Sequence, residues 1–240
     1  MSDPCSGDGL LAEDEQAAIA VRIQAIRQTL PNTVRLIAVS KTHSAAHVRA
    51  AYAAGIRDFG ENRVQEAIEK QAQLQDLADV TWHLLGPLQS NKARKAVDHF
   101  DWIHSLDSLA LAERLDRIAA EQQRSPQICL QVKLRHDPSK SGWSRDELFS
   151  QLPQLSKYKE LRISGVMTIA PLGLETVETL RLFEEARDLA EQVHAEAKRQ
   201  RWSNMLMNQL SMGMSEDYLL AVKAGSTLVR LGRTIFGSRG

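Results

Sequence analysis

The feature that most restricts how this 240-residue chain can fold is an alternation of eight short apolar runs with helix-like stretches. The runs fall at 34–40, 57–60, 80–86, 102–105, 128–134, 163–169, 205–211 and 227–231. Between them, apolar residues share helical stripes: Val64, Ile68 and Leu74 in 61–77; Leu111, Leu115 and Ile118 in 109–120; Leu148, Leu152 and Leu155 in 145–155. The longest stripe, Val177, Leu180, Leu189 and Val193, predicts a helix over 176–199, and shorter ones are predicted over 44–54, 91–97 and 215–224. An extra helix over 13–30, with Ile19, Ile23, Ile26 and Leu30 on one face, precedes the first run and stops at Pro31-Asn32. Strands that are apolar on both faces and separated by helices form parallel sheets covered by helices. Eight such units, which typically need about 250 residues, predict an α/β fold: a single-domain (β/α)8 TIM barrel over 13–240 with an extra N-terminal helix. The runner-up is an open doubly wound sheet, which usually has fewer strands and often a glycine-rich first turn. Here the first turn is Ser40-Lys41-Thr42-His43. Residues 1–12, rich in Ser, Gly, Asp and Pro, are expected to be a disordered tail.

Charge and cysteine usage exclude several function classes. Thirty Lys+Arg balance thirty Asp+Glu, so no summed positive field is available to a nucleic-acid partner. The basic clusters Lys92/Arg94/Lys95 and Lys198/Arg199/Arg201 are offset by acidic helix faces, and Trp82 and Trp102 read as packing rather than a base-stacking platform. Two cysteines, Cys5 in the tail and Cys129 in an apolar run, rule out a disulfide framework and a four-thiolate zinc site. No basic-then-apolar leader opens the chain and no run of about eighteen apolar residues occurs, so neither a secretory signal nor a membrane span is expected and the cytoplasm is the expected compartment. His43 and His47 stand four apart without an HExxH pattern and read as surface histidines. Asp101, His104, Ser105 and Asp107 have the composition of a Ser/His/Asp set but lie together at one strand end without a GxSxG elbow, so they read as polar packing.

Chemistry in such a barrel sits at the C-terminal strand ends. The first strand ends at Lys41, which either reaches solvent along its flexible stem or is an amine poised for Schiff-base formation at the barrel mouth. The loops after strands seven and eight are the fold's recurrent phosphate site. Here Gly213 and Gly232 permit close backbone approach, and Ser215 is expected to cap the following helix. Barrel closure sets strand eight beside strand one, bringing Lys41 next to those loops. A lysine, an anion cradle and Arg230 on the neighbouring strand together suggest pyridoxal 5'-phosphate (PLP), with Arg230 facing the pyridine nitrogen. An arginine there disfavours protonation of the ring and weakens the electron sink.

The segments Ala38-Val39-Ser40-Lys41-Thr42, Phe59-Gly60-Glu61-Asn62 and Trp82-His83-Leu84-Leu85-Gly86-Pro87-Leu88-Gln89-Ser90-Asn91-Lys92 carry a wider resemblance. With Ser211–Ser215 and Gly225-Ser226-Thr227-Leu228-Val229-Arg230-Leu231-Gly232, they closely resemble the pyridoxal phosphate homeostasis proteins, a family related in fold to the N-terminal barrel of alanine racemase. The similarity runs in order from Ile19 to Arg239. It implies a barrel holding PLP through Lys41 as an internal aldimine, with Asn62 near the ring. It also implies that Ser211, Gly213, Met214, Ser215 and the turn at Gly232 hold the phosphate and that Arg230 faces the ring nitrogen. His83, Asn91, Lys92, Lys140 and Met167 fall in other family motifs at or near the mouth. Arg233 departs from the pattern, standing where a small Thr or Ser is expected, so a guanidinium replaces a hydroxyl donor toward phosphate. The implied role is buffering or carrying PLP in vitamin B6 homeostasis as a monomer, with transient contacts to apo PLP-dependent enzymes and no robust catalysis. A low-activity PLP-dependent amino-acid racemase is the rival. Racemisation needs two bases, one on each face of the substrate. In alanine racemase the second is a tyrosine from the partner's C-terminal domain, whereas Tyr52, Tyr158 and Tyr218 stand at no predicted strand end. For a pure interaction module, no residue pattern marks a partner surface.

Overall fold

The apolar runs form eight parallel strands because each is flanked on both sides by strands of the same kind and shielded outside by a helix. A computed structural model describes residues 11–135, 137 and 140–237. Its strands are β1 (Arg35–Val39), β2 (Asp58–Glu61), β3 (Thr81–Leu84), β4 (Trp102–Leu106), β5 (Gln127–Gln131), β6 (Arg162–Met167), β7 (Met205–Ser211) and β8 (Leu228–Leu231), paired in sequence order into a closed barrel. Closure is parallel, with Ile37 opposite Arg230 and Ala38 opposite Leu231. The helices are α1 (Glu13–Thr29), α2 (Ala45–Ala53), α3 (Val64–Ala72), α4 (Ala93–His99), α5 (Leu109–Gln122), α6 (Arg145–Leu155), α7 (Thr176–Gln200), α8 (Tyr218–Lys223) and α9 (Arg233–Phe236). The predicted α/β barrel and its extra first helix are therefore present, and α1 buries Ile19, Ile23 and Ile26.

Alternate strand residues divide the core in two. Ala38, Leu84, Ile103, Leu130, Val166 and Leu231 pack beneath the helices. Ile37, Trp102, Cys129, Met167 and Leu228 fill a smaller cluster inside the barrel. Trp82 and Trp102 are both buried, as packing residues should be. Helix ends follow local chemistry: Ser144 and Glu147 form a reciprocal capping box at the start of α6.

Three expectations need correction. The helix predicted over 61–77 is shorter, because Glu61 completes β2 and α3 begins only at Val64. Ser215 does not cap a helix: α8 begins at Tyr218 behind Asp217, whose Oδ1 accepts the Met214 N–H at 2.6 Å. The single turn of α9 after Gly232 was not foreseen. The expected disordered tail lies outside the described residues apart from Leu11 and Ala12. Among the described residues, no helix is long and apolar enough to cross a membrane.

Candidate functional site

The site begins where β1 ends. Ser40 is fully buried and held at both of its polar groups. Its hydroxyl donates to Glu61 Oε1 at 2.7 Å, and its carbonyl accepts from Lys70 Nζ at 2.8 Å. Lys70 in turn pairs with Glu61 Oε1 at 2.5 Å, so β1, β2 and α3 are tied together by one buried ion pair. One residue on, Thr42 takes a left-handed conformation (φ 66°) and its N–H donates to Glu66 Oε1 at 2.5 Å. Lys41 sits between these two anchored neighbours, half-buried, with its side chain lining a cavity of about 550 Å³.

That cavity lies at the C-terminal mouth. Val39, Leu85, Met167 and Ile169 give it apolar walls, while Lys41, Asn62, Ser215, Arg230 and Arg233 supply polar groups. Met214 and Gly232 also line it. Closure of β8 on β1 is what brings Arg230 and Lys41, far apart in sequence, to the same space. Arg230 is nearly buried, and that burial pulls its guanidinium down to about 10, opposed chiefly by the charge of Asp217. Its Nη1 donates to Ser211 Oγ at 2.7 Å and its Nη2 to the Thr168 carbonyl at 3.0 Å. Arg233 is exposed and paired with Glu216 at 2.5 Å.

Two sequence-predicted residues support the mouth from behind rather than line it. Ser211 is fully buried beneath Arg230, with its hydroxyl between that guanidinium and His104 Nδ1. Gly213 (φ 94°) lays the loop flat on α8: a Cβ there would come within 2.6 Å of the Ala221 Cβ. Glycine is also needed at position 86, where a Cβ would stand 2.3 Å from the Asn62 carbonyl oxygen. The loop after β3 thereby braces the loop that carries Asn62.

Comparison with known proteins fits this geometry. Residues 15–240 match the family described as alanine racemase, N-terminal domain. The pyridoxal phosphate homeostasis protein of Synechocystis sp. is 50% identical over 211 residues, spanning 88% of this chain and 94% of that protein. The chain belongs to the pyridoxal phosphate homeostasis protein family. Among solved structures, PipY of Synechococcus elongatus PCC7942 superposes with a TM-score of 0.86 without PLP (59% identity) and 0.85 with PLP bound (57% identity). Each covers 91% of this chain and all of the PipY chain.

The remaining family-motif residues separate by position. Lys140 and Met167 line the cavity. Asn91 and Lys92 lie in a short 3-10 turn before α4, and His83 is wholly buried in the barrel. The His43 ring is tilted against those of His47 and Phe236, His47 meets Phe236 edge-on, and His47 Nε2 is 3.2 Å from Glu15. The strand-four residues diverge: Asp101 accepts the Trp82 N–H, Ser105 donates to the Gly86 carbonyl, and His104 points into the barrel. The Ser40–Glu61–Lys70 clamp was not anticipated. Its signal was a charged glutamate at the end of an apolar strand, where burial demands a partner.

Proposed function

We propose that this chain holds PLP at the C-terminal mouth through Lys41, and buffers or carries the cofactor in vitamin B6 homeostasis without robust catalysis of its own. The observation that carries this is the convergence of Lys41 and Arg230, from opposite ends of the sequence, on one cavity. The residues fit the group. A cavity of about 550 Å³ suits a small ligand. Apolar walls suit a flat ring, a lysine amine suits an aldehyde, and the Met214–Ser215 and Gly232–Arg233 turns suit a phosphate. In this assignment Asn62 lies beside the ring, Arg230 faces its nitrogen, and Ser211 and Gly213 shape the cradle from beneath. When bound, PLP supplies an electrophilic carbonyl and a conjugated ring able to draw electron density from an attached amine. A guanidinium donates but cannot accept a hydrogen bond, so Arg230 keeps the ring nitrogen unprotonated and that withdrawal weak.

Among the described residues, no tyrosine is placed at the cavity as a second base, which favours a carrier over a racemase. Each of the three tyrosines is engaged elsewhere: Tyr52 with Asp79, Tyr158 with Gln154, and Tyr218 with Thr29. The proposal makes 13–240 a single cofactor-binding unit, a cytoplasmic monomer that meets apo PLP-dependent enzymes transiently. The test is borohydride reduction of PLP-loaded protein followed by peptide mapping. The label is expected on Lys41, and Lys41→Ala is expected to abolish it; a label elsewhere overturns the assignment. Incubation with L-alanine tests the carrier role, since D-alanine formation in the usual enzymatic range of about 1–1000 per second would make the chain an enzyme.

A further inference from the structure

Below the cavity, the barrel interior contains a continuous line of polar side chains drawn from five strands. It starts at Arg230 on β8, passes through Ser211 on β7, His104 on β4 and His83 on β3, and ends at Asp58 on β2. The successive separations are 2.7 Å, 2.7 Å, 3.0 Å and 2.9 Å. The middle three residues are fully buried. Asp58 lies toward the opposite mouth, where it also accepts from Arg35, and the Arg35 guanidinium lies 5.6 Å from the Trp102 ring centroid.

The two ends dictate the direction of every link. A guanidinium only donates, so Ser211 Oγ accepts from Arg230; a carboxylate only accepts, so with both imidazoles neutral the donors run back from Asp58 and the Ser211 hydroxyl gives its hydrogen to His104 Nδ1. His104, accepting at Nδ1, carries its proton on Nε2 and donates to His83 Nδ1. His83 then carries its proton on Nε2 and donates to Asp58 Oδ1. Each interior group thus has one donor and one acceptor contact along the line, all oriented alike. Burial holds both imidazoles below the usual histidine range, which keeps them neutral. Aligned hydrogen bonds polarise one another in a low-dielectric interior. The acceptor end of the line, Ser211 Oγ, is the end presented to the buried cation.

We propose that Ser211, His104, His83 and Asp58 are positioning residues for Arg230: a one-directional hydrogen-bonded line, anchored at its far end by the carboxylate of Asp58, fixes its guanidinium under the cofactor cavity. This rests on the assignment of Arg230 to the cofactor's ring nitrogen, and goes beyond it by extending the binding apparatus through the barrel to the far mouth.

The experiment has two arms. In the first, cofactor-free full-length chain carrying 15N-labelled histidine is examined by long-range 1H–15N NMR near neutral pH. His83 and His104 are expected as neutral tautomers protonated on Nε2. An Nδ1-protonated or doubly protonated His104 overturns the proposal, and this arm needs no variant. In the second, Ser211→Ala and Ser211→Thr are compared after PLP loading. Ser211→Ala is expected to broaden the Arg230 guanidinium resonances and shift the visible band, while Ser211→Thr, which keeps the hydroxyl, restores both. An unchanged guanidinium and band in Ser211→Ala overturn the positioning role. A wild-type protein with no visible band would instead refute the PLP assignment, and the first arm would still decide the direction of the line.

Discussion

Replacing Lys70 with methionine tests whether the clamp behind Lys41 carries the weight its geometry suggests. Lys70 and Glu61 are 6% and 0% exposed at their side chains, and 2.5 Å separates the charged atoms. Among the described residues, Glu61 Oε2 is buried without a hydrogen-bond partner, so Oε1 and its contacts to Lys70 and Ser40 carry the compensation. Methionine keeps the stem of the side chain but strands the carboxylate. Removing one member of a buried pair costs about 3–5 kcal/mol. With a urea dependence of about 3 kcal/mol/M, the unfolding midpoint should fall by about 1 M or more. Adding Glu61→Gln to Lys70→Met removes the stranded charge and should return a large part of that loss.

The same substitution should make stability depend on pH with a definite sign. Burial raises the Glu61 carboxyl above its ordinary range even though Lys70 and Ser40 pull it down. Without Lys70 the folded-state value rises further. Between the unfolded value of about 4.3 and that raised value, the folded state holds a proton that the unfolded state has lost, so stability falls as pH rises. The penalty of Lys70→Met is therefore expected to be smallest near about pH 4 and largest above the raised value. A penalty below about 1 kcal/mol at pH 8, or one that does not change between pH 4 and 8, would refute the argument. Because the clamp holds Ser40 at both polar groups, the folded variant should also retain less borohydride-fixed PLP on Lys41.

Three further substitutions or probes test separate parts of the structure. Gly86→Ala sets a Cβ 2.3 Å from the Asn62 carbonyl oxygen, a backbone atom that cannot swing aside, and should cost about 1–3 kcal/mol and weaken PLP retention; an unchanged melting temperature and dialysis constant would contradict it. Burial pushes the Cys129 thiol up to about 12, so in a Cys5→Ser background an aromatic disulfide reagent at pH 8 should react only once urea unfolds the chain, and fast reaction of the folded protein would count against that. Asn204 Nδ2 donates to the Leu155 and Tyr158 carbonyls at 3.1 and 2.8 Å, and the Leu155 carbonyl also accepts the Tyr158 N–H, so Asn204→Ala strips the Tyr158 carbonyl of its side-chain donor and should lower stability by about 2 kcal/mol in thermal unfolding, whereas a loss below about 0.5 kcal/mol would show that water replaces the amide.

The architecture was legible because strand burial on both faces leaves a continuous apolar signature, and eight such runs admit few arrangements. Lys41 and Arg230 were legible for a related reason: each is a cation at or near the end of such a run, and closure alone makes strands one and eight neighbours. Ser215 reads as a cap because a serine just before an apolar helical stripe fits a helix start, whereas the Asp217 carboxylate bonding back to Met214 makes this segment a turn. Helix α9 is a single turn, too short for periodicity to register.

The polar line through the barrel was hidden for a deeper reason. His83 sits between Trp82 and Leu84, and His104 between Ile103 and Ser105, each the one histidine of an otherwise unremarkable strand. Taken alone, each histidine is most economically a satisfied core residue. The line exists only in the registry: residues from β2, β3 and β4 meet residues from β7 and β8 across the interior, and sequence separation reaches 107 between His104 and Ser211. The usable sequence signal is alternation within a barrel strand. His83 and His104 fall on inward positions, in phase with Leu85 and Trp102 respectively, as Arg230 is in phase with Leu228. A buried polar side chain costs free energy unless paired. Several inward polar residues in one barrel must therefore find one another, and the end groups, a guanidinium and a carboxylate, then leave one orientation for the protons between them.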